Sequence, residues 1–470
     1  MRDNPVSNPY DPRTFQPLTF HDAVPAFIDG SDSPRAYLER CLEVIADREP
    51  VVRAWVSLNE AGARDAADAA AARYKAGRPL SAIDGMPIGI KDLFMTRDMP
   101  TKMGSPLYEK NFPRQDSACV QALRAAGAVV LGKTVTTELG MSHPGPTTNP
   151  FSPQHSPGGS SSGSAAVIAA RMVPAAIGSQ VVGSCIRPAG FCANYALKPT
   201  MGALHRGERL AFSQSHIGVH TGSPIDMWRT AIEIAKRAGG DPGYPGLIGP
   251  DEAPAPLRPS RLVVIEAEGW AHVDDATGAS FERLLDRLRA AGVEIVGRRE
   301  DALVEAFEQA IADSLALCRD ICGYELRWTL HNLIEQHGGG LSDSLMTRHE
   351  LSQRMTPSDY RDVLLRREQA KQALAAVAAA GDAMICLSSV GPAPLMDNAG
   401  VDSGVEHTTG LPAFNGWTSV TGAPAVSLPL LAVDGLPVGV QVVGPLHSDY
   451  RIAGIGRWIA DAVLAAGGTD

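Results

Sequence analysis

The apolar positions of this chain first fall at a helical period in an amphipathic stretch that ends near Ala76 and includes Ala61–Ala72; residues 1–17, polar and rich in proline, read as an extended arm ahead of it. Gly85–Asp92 has a different pattern, a short apolar run broken by Pro87 and Gly89, which predicts a buried strand whose end delivers Lys91 into the interior. Further on, Ala118–Ala126 reads as a helix stopped by Gly127, and Ala128–Leu131 as a strand. A helix is expected over Ser164–Ala170, a turn at Pro174 and a strand near Ala175–Gly178.

The second half continues in the same way. Arg261–Glu266, Ser280–Ala291 and Val293–Val296 read as strand, helix and strand, and Asp301–Glu335 and Ser358–Ala380 as long helical stretches. Ala425–Val433 and Pro437–Gly444 should pair across Asp434-Gly435, a dipeptide suited to a tight hairpin turn. No short internal repeat is present. These elements together predict an α/β fold, a mixed sheet with helices on both faces.

Residues 154–200 carry the chemistry. Serines and glycines crowd around two short helix-forming runs. Glycine lets the backbone reach positive φ and approach a ligand, and a serine at such a turn offers its hydroxyl and its N–H together. Acyl transfer needs that combination, a nucleophilic oxygen and several N–H donors aimed at one developing oxyanion. For Lys91 alone, snorkelling to the surface or pairing with Asp92 would be sufficient explanation. Beside the serine loops, a neutral lysine acting as a base becomes an alternative, provided burial lowers its pKa.

Gly158-Gly159-Ser160-Ser161-Ser162-Gly163-Ser164, Gly183-Ser184, Arg187-Pro188-Ala189, Phe191-Cys192 and Leu197-Lys198-Pro199-Thr200 resemble the signature of the amidase signature family. Gly85–Asp92 resembles that family's lysine strand, and Gly422–Ala425 with Gly435–Gly439 its C-terminal hairpin, so the likeness spans most of the chain. The resemblance implies a single large domain built on a twisted mixed central sheet. Its parts would be the arm (1–17) and the amidase signature domain (18–470), the latter divided into a helical region to about 76, a catalytic core over about 80–234, and a variable region with the hairpin over about 255–470.

The resemblance also implies a triad. Lys91 would be the base, Ser160 the bridging serine and Ser184 the nucleophile, with Ser160 and Ser184 24 residues apart. Backbone N–H groups of Val181, Val182, Gly183 and Ser184 would form the oxyanion hole, and Gly158, Gly159, Gln180 and Arg187 would support the loops. The implied activity is hydrolysis of an amide-type carbon–nitrogen bond through an acyl-enzyme, without cofactor or metal. Three departures from the commonest family pattern mark a variant branch: Gln180 stands where aspartate is usual, Val182 replaces a glycine, and Arg187 lies three residues after the serine instead of two. Arg187 could orient the loop by bonding backbone carbonyls, or meet an anionic substrate group.

Other readings of the same residues compete. Gly127–Thr134 fits a phosphate-binding P-loop letter for letter, but its glycine follows a helix and its middle reads as the strand itself. Gly159–Gly163 fits the nucleophile elbow of Ser-His-Asp hydrolases, with Ser161 as nucleophile and His407 or His447 as later partners, yet Asn149–Pro157 before it reads as a loop. His143 and His155 are expected to satisfy loop carbonyls, and Cys185 adjoins the proposed nucleophile. A glutamine-hydrolysing subunit of a tRNA-dependent amidotransferase would share the same core chemistry.

Composition narrows the function classes. A formal charge of −10 argues against nucleic acid or an anionic membrane as a direct partner. Seven scattered cysteines imply neither a disulfide framework nor a zinc site, Cys318 and Cys322 included. With no apolar N-terminal core and no uncharged apolar run of about 18 residues, a cytoplasmic protein is expected. Its partner would be a small-molecule amide, hydrazide or ureide, and a homodimer is left open. The substrate pocket is expected from Met141–Pro146 and parts of Leu317–His331 and Pro392–Trp417, where Phe414 and Trp417 could flank a flat acyl group.

Overall fold

A computed structural model describes residues 9–141, 143–207, 212–396 and 409–465. Eleven strands form one mixed sheet. In chain order they are β1 (Trp55–Leu58), β2 (Pro87–Lys91), β3 (Val129–Thr134), β4 (Ala175–Gln180), β5 (Tyr195–Lys198), β6 (His216–Thr221), β7 (Arg261–Val264), β8 (Glu294–Val296), β9 (Ala383–Leu387), β10 (Ala425–Val433) and β11 (Leu436–Val443). Across the sheet they run β1-β3-β2-β4-β6-β5-β10-β11-β9-β7-β8. β2 is parallel to both its neighbours, β3 and β4, and β7 is parallel to β8 and β9. The remaining pairs are antiparallel.

Every position of β2, β3, β4 and β6 is buried, as strands covered on both faces require. One cover includes helices α4 (Ala118–Ala125) and α7 (Pro224–Ala238), whose Val120, Met227 and Trp228 join Ile88, Ile90 and Ile177 in the main core. The other includes α2 (Pro34–Val52), α3 (Glu60–Lys75) and α5 (Ser162–Ala169), which pack Leu38, Ala67 and Ala166 against Val129, Leu131 and Ala176. The faces alternate because side chains alternate along a strand.

Local signals place these helices. The Ser223 side chain accepts from Asp226 N–H at the start of α7, and the Asn59 side chain accepts from Gly62 N–H at the start of α3. Asp434 (φ 51°) and Gly435 (φ 73°) make the two-residue turn between β10 and β11, with both residues left-handed as a type I′ hairpin demands.

The observed boundaries correct several expectations. β1 interrupts the region read as helical and pairs antiparallel with β3 at the sheet edge. The stretch Asp301–Glu335 is two helices, α9 (Ala302–Ile311) and α10 (Ser314–His337), and two more follow, α11 (Asp343–Ser352) and α12 (Pro357–Val377). A short helix, α6 (Ile186–Phe191), follows Ser184, and another, α13 (Gly416–Thr421), precedes β10. Residues 9–17 lie against the body of the protein: Tyr10 donates through its hydroxyl to Pro429 O at 2.7 Å, and its ring meets Phe15 and Phe151 edge-on.

Candidate active site

Lys91 is the last residue of β2 and is completely buried. Gly89, two residues earlier, allows the close approach of β3, since a Cβ there would lie 2.8 Å from Thr134 Cγ2. Lys91 Nζ is 2.7 Å from Ser160 Oγ, 3.0 Å from Ser161 Oγ and 3.0 Å from Ser179 Oγ. Burial without a carboxylate partner brings the amine down to about 7, because the charged form loses its water. Asp92 does not pair with Lys91. It meets Lys133 at 2.9 Å, both side chains fully buried, while Lys133 Nζ also donates to Thr101 Oγ1 at 2.7 Å.

The loop from Gly158 to Ser161 brings the serines to the lysine. Gly158 has φ +82°, and a Cβ there would lie 2.8 Å from Pro188 Cα. The Gly159–Ser160 peptide is cis. Ser161 Oγ donates to Ser179 O at 3.1 Å and accepts from Ser179 N–H at 3.2 Å, so this hydroxyl is fixed on β4. Ser161 N–H donates to Ser184 O at 3.2 Å and so joins the two serine loops.

Ser184 is half-buried, in the turn between β4 and α6. With Val181, Val182 and Gly183 it lines a small open cleft, whose other walls include Met141, Arg187, Arg319, Cys322 and Thr409.

Gln180 and Arg187 hold this turn from behind. Gln180 Oε1 accepts from the N–H groups of Cys185 and Ile186, both at 3.1 Å, and its Nε2 donates to Ser419 Oγ at 3.1 Å. Ser419 Oγ in turn donates to Val182 O at 2.8 Å. Arg187 is buried; its Nε donates to Thr409 O at 2.9 Å, and one terminal nitrogen donates to Gly159 O at 2.7 Å and Thr409 Oγ1 at 3.0 Å. Arg187 therefore bonds loop carbonyls, and it also borders the cleft.

The competing motifs do not build sites. In the P-loop-like segment, Lys133 lies inside β3, bound to Asp92. Ser161 follows a loop instead of a strand, its hydroxyl is held by Ser179, and His447 is exposed; His407 lies outside the described residues. His143 is exposed, and the ring of His155 bonds the Ser152 hydroxyl at 2.7 Å instead of a carbonyl. Cys185 is buried, which pushes its thiol up to about 12 and leaves no thiolate to react. Among the described residues, no group of three or more His, Cys, Asp or Glu side chains could hold a metal ion.

Phe414 and Trp417 correct an expectation. Both are fully buried, with Trp417 edge-on to Phe307 at 5.5 Å, so they belong to the core and do not flank a substrate. Ser179 is the residue that sequence reasoning missed. It is the penultimate residue of β4, before Gln180, in the same serine-rich segment, but only the fold reveals that its hydroxyl reaches Lys91. His220 was missed as well: it lies on β6, opposite Ala176 of β4, and burial together with the nearby lysine pushes its imidazole down to about 3.

The chain is similar to known proteins over most of its length. A family model described as Amidase matches residues 36–452. A glutamyl-tRNA(Gln) amidotransferase subunit of Chloroflexus aurantiacus (strain ATCC 29366 / DSM 635 / J-10-fl) is 30% identical over 470 residues, spanning 93% of this chain and 95% of that protein. Its counterpart in Myxococcus xanthus (strain DK1622) is 39% identical over 210 residues, 43% of this chain and 41% of that protein. A solved structure described as an amidase superposes with a TM-score of 0.82 at 26% identity, covering 95% of this chain and 100% of the other. The peptide amidase of Stenotrophomonas maltophilia shares the fold, with a TM-score of 0.75 at 24% identity over 95% of this chain and 97% of its own. Among the described residues no helix is long and apolar enough to cross a membrane. With the family matched over most of its length, the chain belongs to the amidase signature family and is an amidase, a hydrolase of carbon–nitrogen bonds.

Proposed function

We propose that the protein hydrolyses the amide-type bond of a small molecule, an amide, hydrazide or ureide, through Lys91, Ser160 and Ser184. One observation carries the reading: a buried lysine, near neutral pKa and without a carboxylate partner, lies 2.7 Å from the Ser160 hydroxyl. Neutral Lys91 takes the Ser160 proton, Ser160 takes that of Ser184, and Ser184 Oγ attacks the carbonyl carbon. The developing oxyanion is met by the N–H groups of Val181, Val182, Gly183 and Ser184, each such donor contributing about 3–4 kcal/mol. The relay then returns a proton to the leaving nitrogen, the amine departs, and water repeats the sequence on the acyl-enzyme. Gln180 and Arg187 keep the N–H turn in shape.

The related amidotransferase subunits, matched over almost their full length in the Chloroflexus protein, support a second reading: glutamine hydrolysis within a tRNA-dependent amidotransferase. The two readings share every proton transfer and differ in the amide consumed and in the need for a partner. Gln180 and the later Arg187 set this chain apart from the commoner family pattern, which favours the small-molecule reading. The test is a panel of simple amides, hydrazides, ureides and glutamine, assayed for released ammonia or amine with the chain purified alone. Turnover of a small amide without glutaminase activity supports the first reading. Glutaminase activity that appears only with an added partner overturns it in favour of the second.

A further inference from the structure

Lys91 Nζ has three hydroxyl neighbours, and a neutral amine has only two N–H donors and one lone pair. The role of each neighbour can be worked out from its other bonds. Ser161 Oγ spends its proton on Ser179 O and already accepts from Ser179 N–H, so toward Lys91 it can only accept. One N–H is thereby assigned. Ser160 and Ser179 share the remaining N–H and the lone pair. Hydrogen bonds donated by O–H run shorter than those donated by N–H. The 2.7 Å contact to Ser160 matches a hydroxyl donating to the amine, and the 3.0 Å contacts to Ser161 and Ser179 match the amine donating outward.

We propose that Ser179 is a positioning residue: by accepting the second N–H of neutral Lys91 it leaves the lone pair aimed at the Ser160 hydroxyl. The assignment rests on the Ser-Ser-Lys reading and adds a fourth residue to it. Without Ser179 the amine has one fixed bond, to Ser161, and can turn about it so that an N–H faces Ser160. Proton transfer from Ser160 then waits on the rarer orientation. The other titratable groups facing Lys91 are the buried thiol of Cys185 and the imidazole of His220, while Asp92, next on the chain, is engaged by Lys133.

Because the substrate is open, the test uses a fluorophosphonate reagent. Its labelling forms a Ser184 Oγ–phosphorus bond, expels fluoride and passes the serine proton through Ser160 to Lys91. The second-order labelling rate is measured against pH for the full chain and for Ser179→Ala, Ser179→Cys and Ser179→Thr. Ser179→Ala should lower the alkaline plateau about tenfold or more. It should also move the ascending limb toward acid by about one pH unit, since the ammonium loses one of three acceptors and is held less well. Ser179→Thr should restore both features. Ser179→Cys, close in volume but a weak acceptor, should follow alanine, and it carries the test should the alanine variant fail to fold. A plateau and limb unchanged in the alanine or cysteine variant, or a lower plateau with the limb in place, overturns the positioning role. A wild-type chain that is not labelled, or a Ser184→Ala chain labelled as fast, overturns the triad reading itself, and the proposal with it.

Discussion

Replacing Lys91 by methionine should abolish turnover and at the same time remove a pH-dependent penalty from the fold. Burial brings the amine from 10.5 in the exposed chain to about 7 in the folded one. Between those two values the unfolded state holds a proton that the folded state has released, so stability rises with pH across that window, and below about 7 the penalty is complete. At about 1.4 kcal/mol per pH unit, the full penalty is about 5 kcal/mol. It is about 4 kcal/mol at pH 7 and falls to about 1 kcal/mol at pH 10.

Methionine fills much of the same volume and does not titrate. The stability of the wild type relative to Lys91→Met should therefore rise by about 3 kcal/mol between pH 7 and pH 10. Lys198, also buried and also brought to about 7, and Lys133 are present in both proteins and cancel in the difference. The variant leaves the hydroxyls of Ser160 and Ser179 without the amine, a loss of about 1–3 kcal/mol each where no other partner is found. That loss does not depend on pH, so it moves the offset and leaves the slope. Urea unfolding of both proteins at the two pH values gives the quantity directly. A difference constant within about 1 kcal/mol would show that Lys91 keeps its proton state through this range, and a lysine that does so cannot be the base.

The same pKa sets the rate profile: kcat/KM of the wild type should climb through a limb centred near pH 7, and Lys91→Arg should not rescue it, because guanidinium keeps its proton there; substantial activity of that variant with an unchanged profile would exclude lysine as base. Ser184→Ala should lower hydrolysis at least about a thousandfold with an unaltered melting temperature, and near-normal turnover would reassign the nucleophile. Dialysis against EDTA should leave the rate unchanged; loss that zinc or manganese restores would favour metal-assisted hydrolysis instead. Gly178→Ala should destabilise the fold by about 1–3 kcal/mol and slow turnover, because its Cβ would lie 2.8 Å from both Ser161 Oγ and His220 Nε2. A variant with wild-type stability and rate would mean that this wall yields easily.

Much of the fold is written locally. The hairpin follows from Asp434-Gly435 between two apolar runs, and the buried strand of Lys91 from an apolar run with glycine where β3 comes close. What the pattern hides is set by distant partners. β1 reads as part of a helical region because its four residues are half-buried at a sheet edge, and only pairing with β3 makes them a strand. Phe414 and Trp417 sit beside loop residues in the sequence, yet Phe307 and Gly269, more than a hundred positions away, close over them. The break between α9 and α10 is equally invisible, since Ala312-Asp313 carries neither glycine nor proline.

The active-site turn shows the same division within a few residues. The serines, the glycines and Lys91 are legible because their chemistry is unusual for a packed interior. Gln180, by contrast, reads as a departure where aspartate is usual, and its sense depends on residues 238 and 239 positions downstream. An aspartate could accept from the two N–H groups at the start of α6, but it could not also donate to a hydroxyl. The amide does both: it accepts from Cys185 and Ile186 and donates to Ser419, and Ser419 is thereby set to donate to Val182 O. The amide thus ties the N–H turn beside Ser184 to α13 through one neutral bridge.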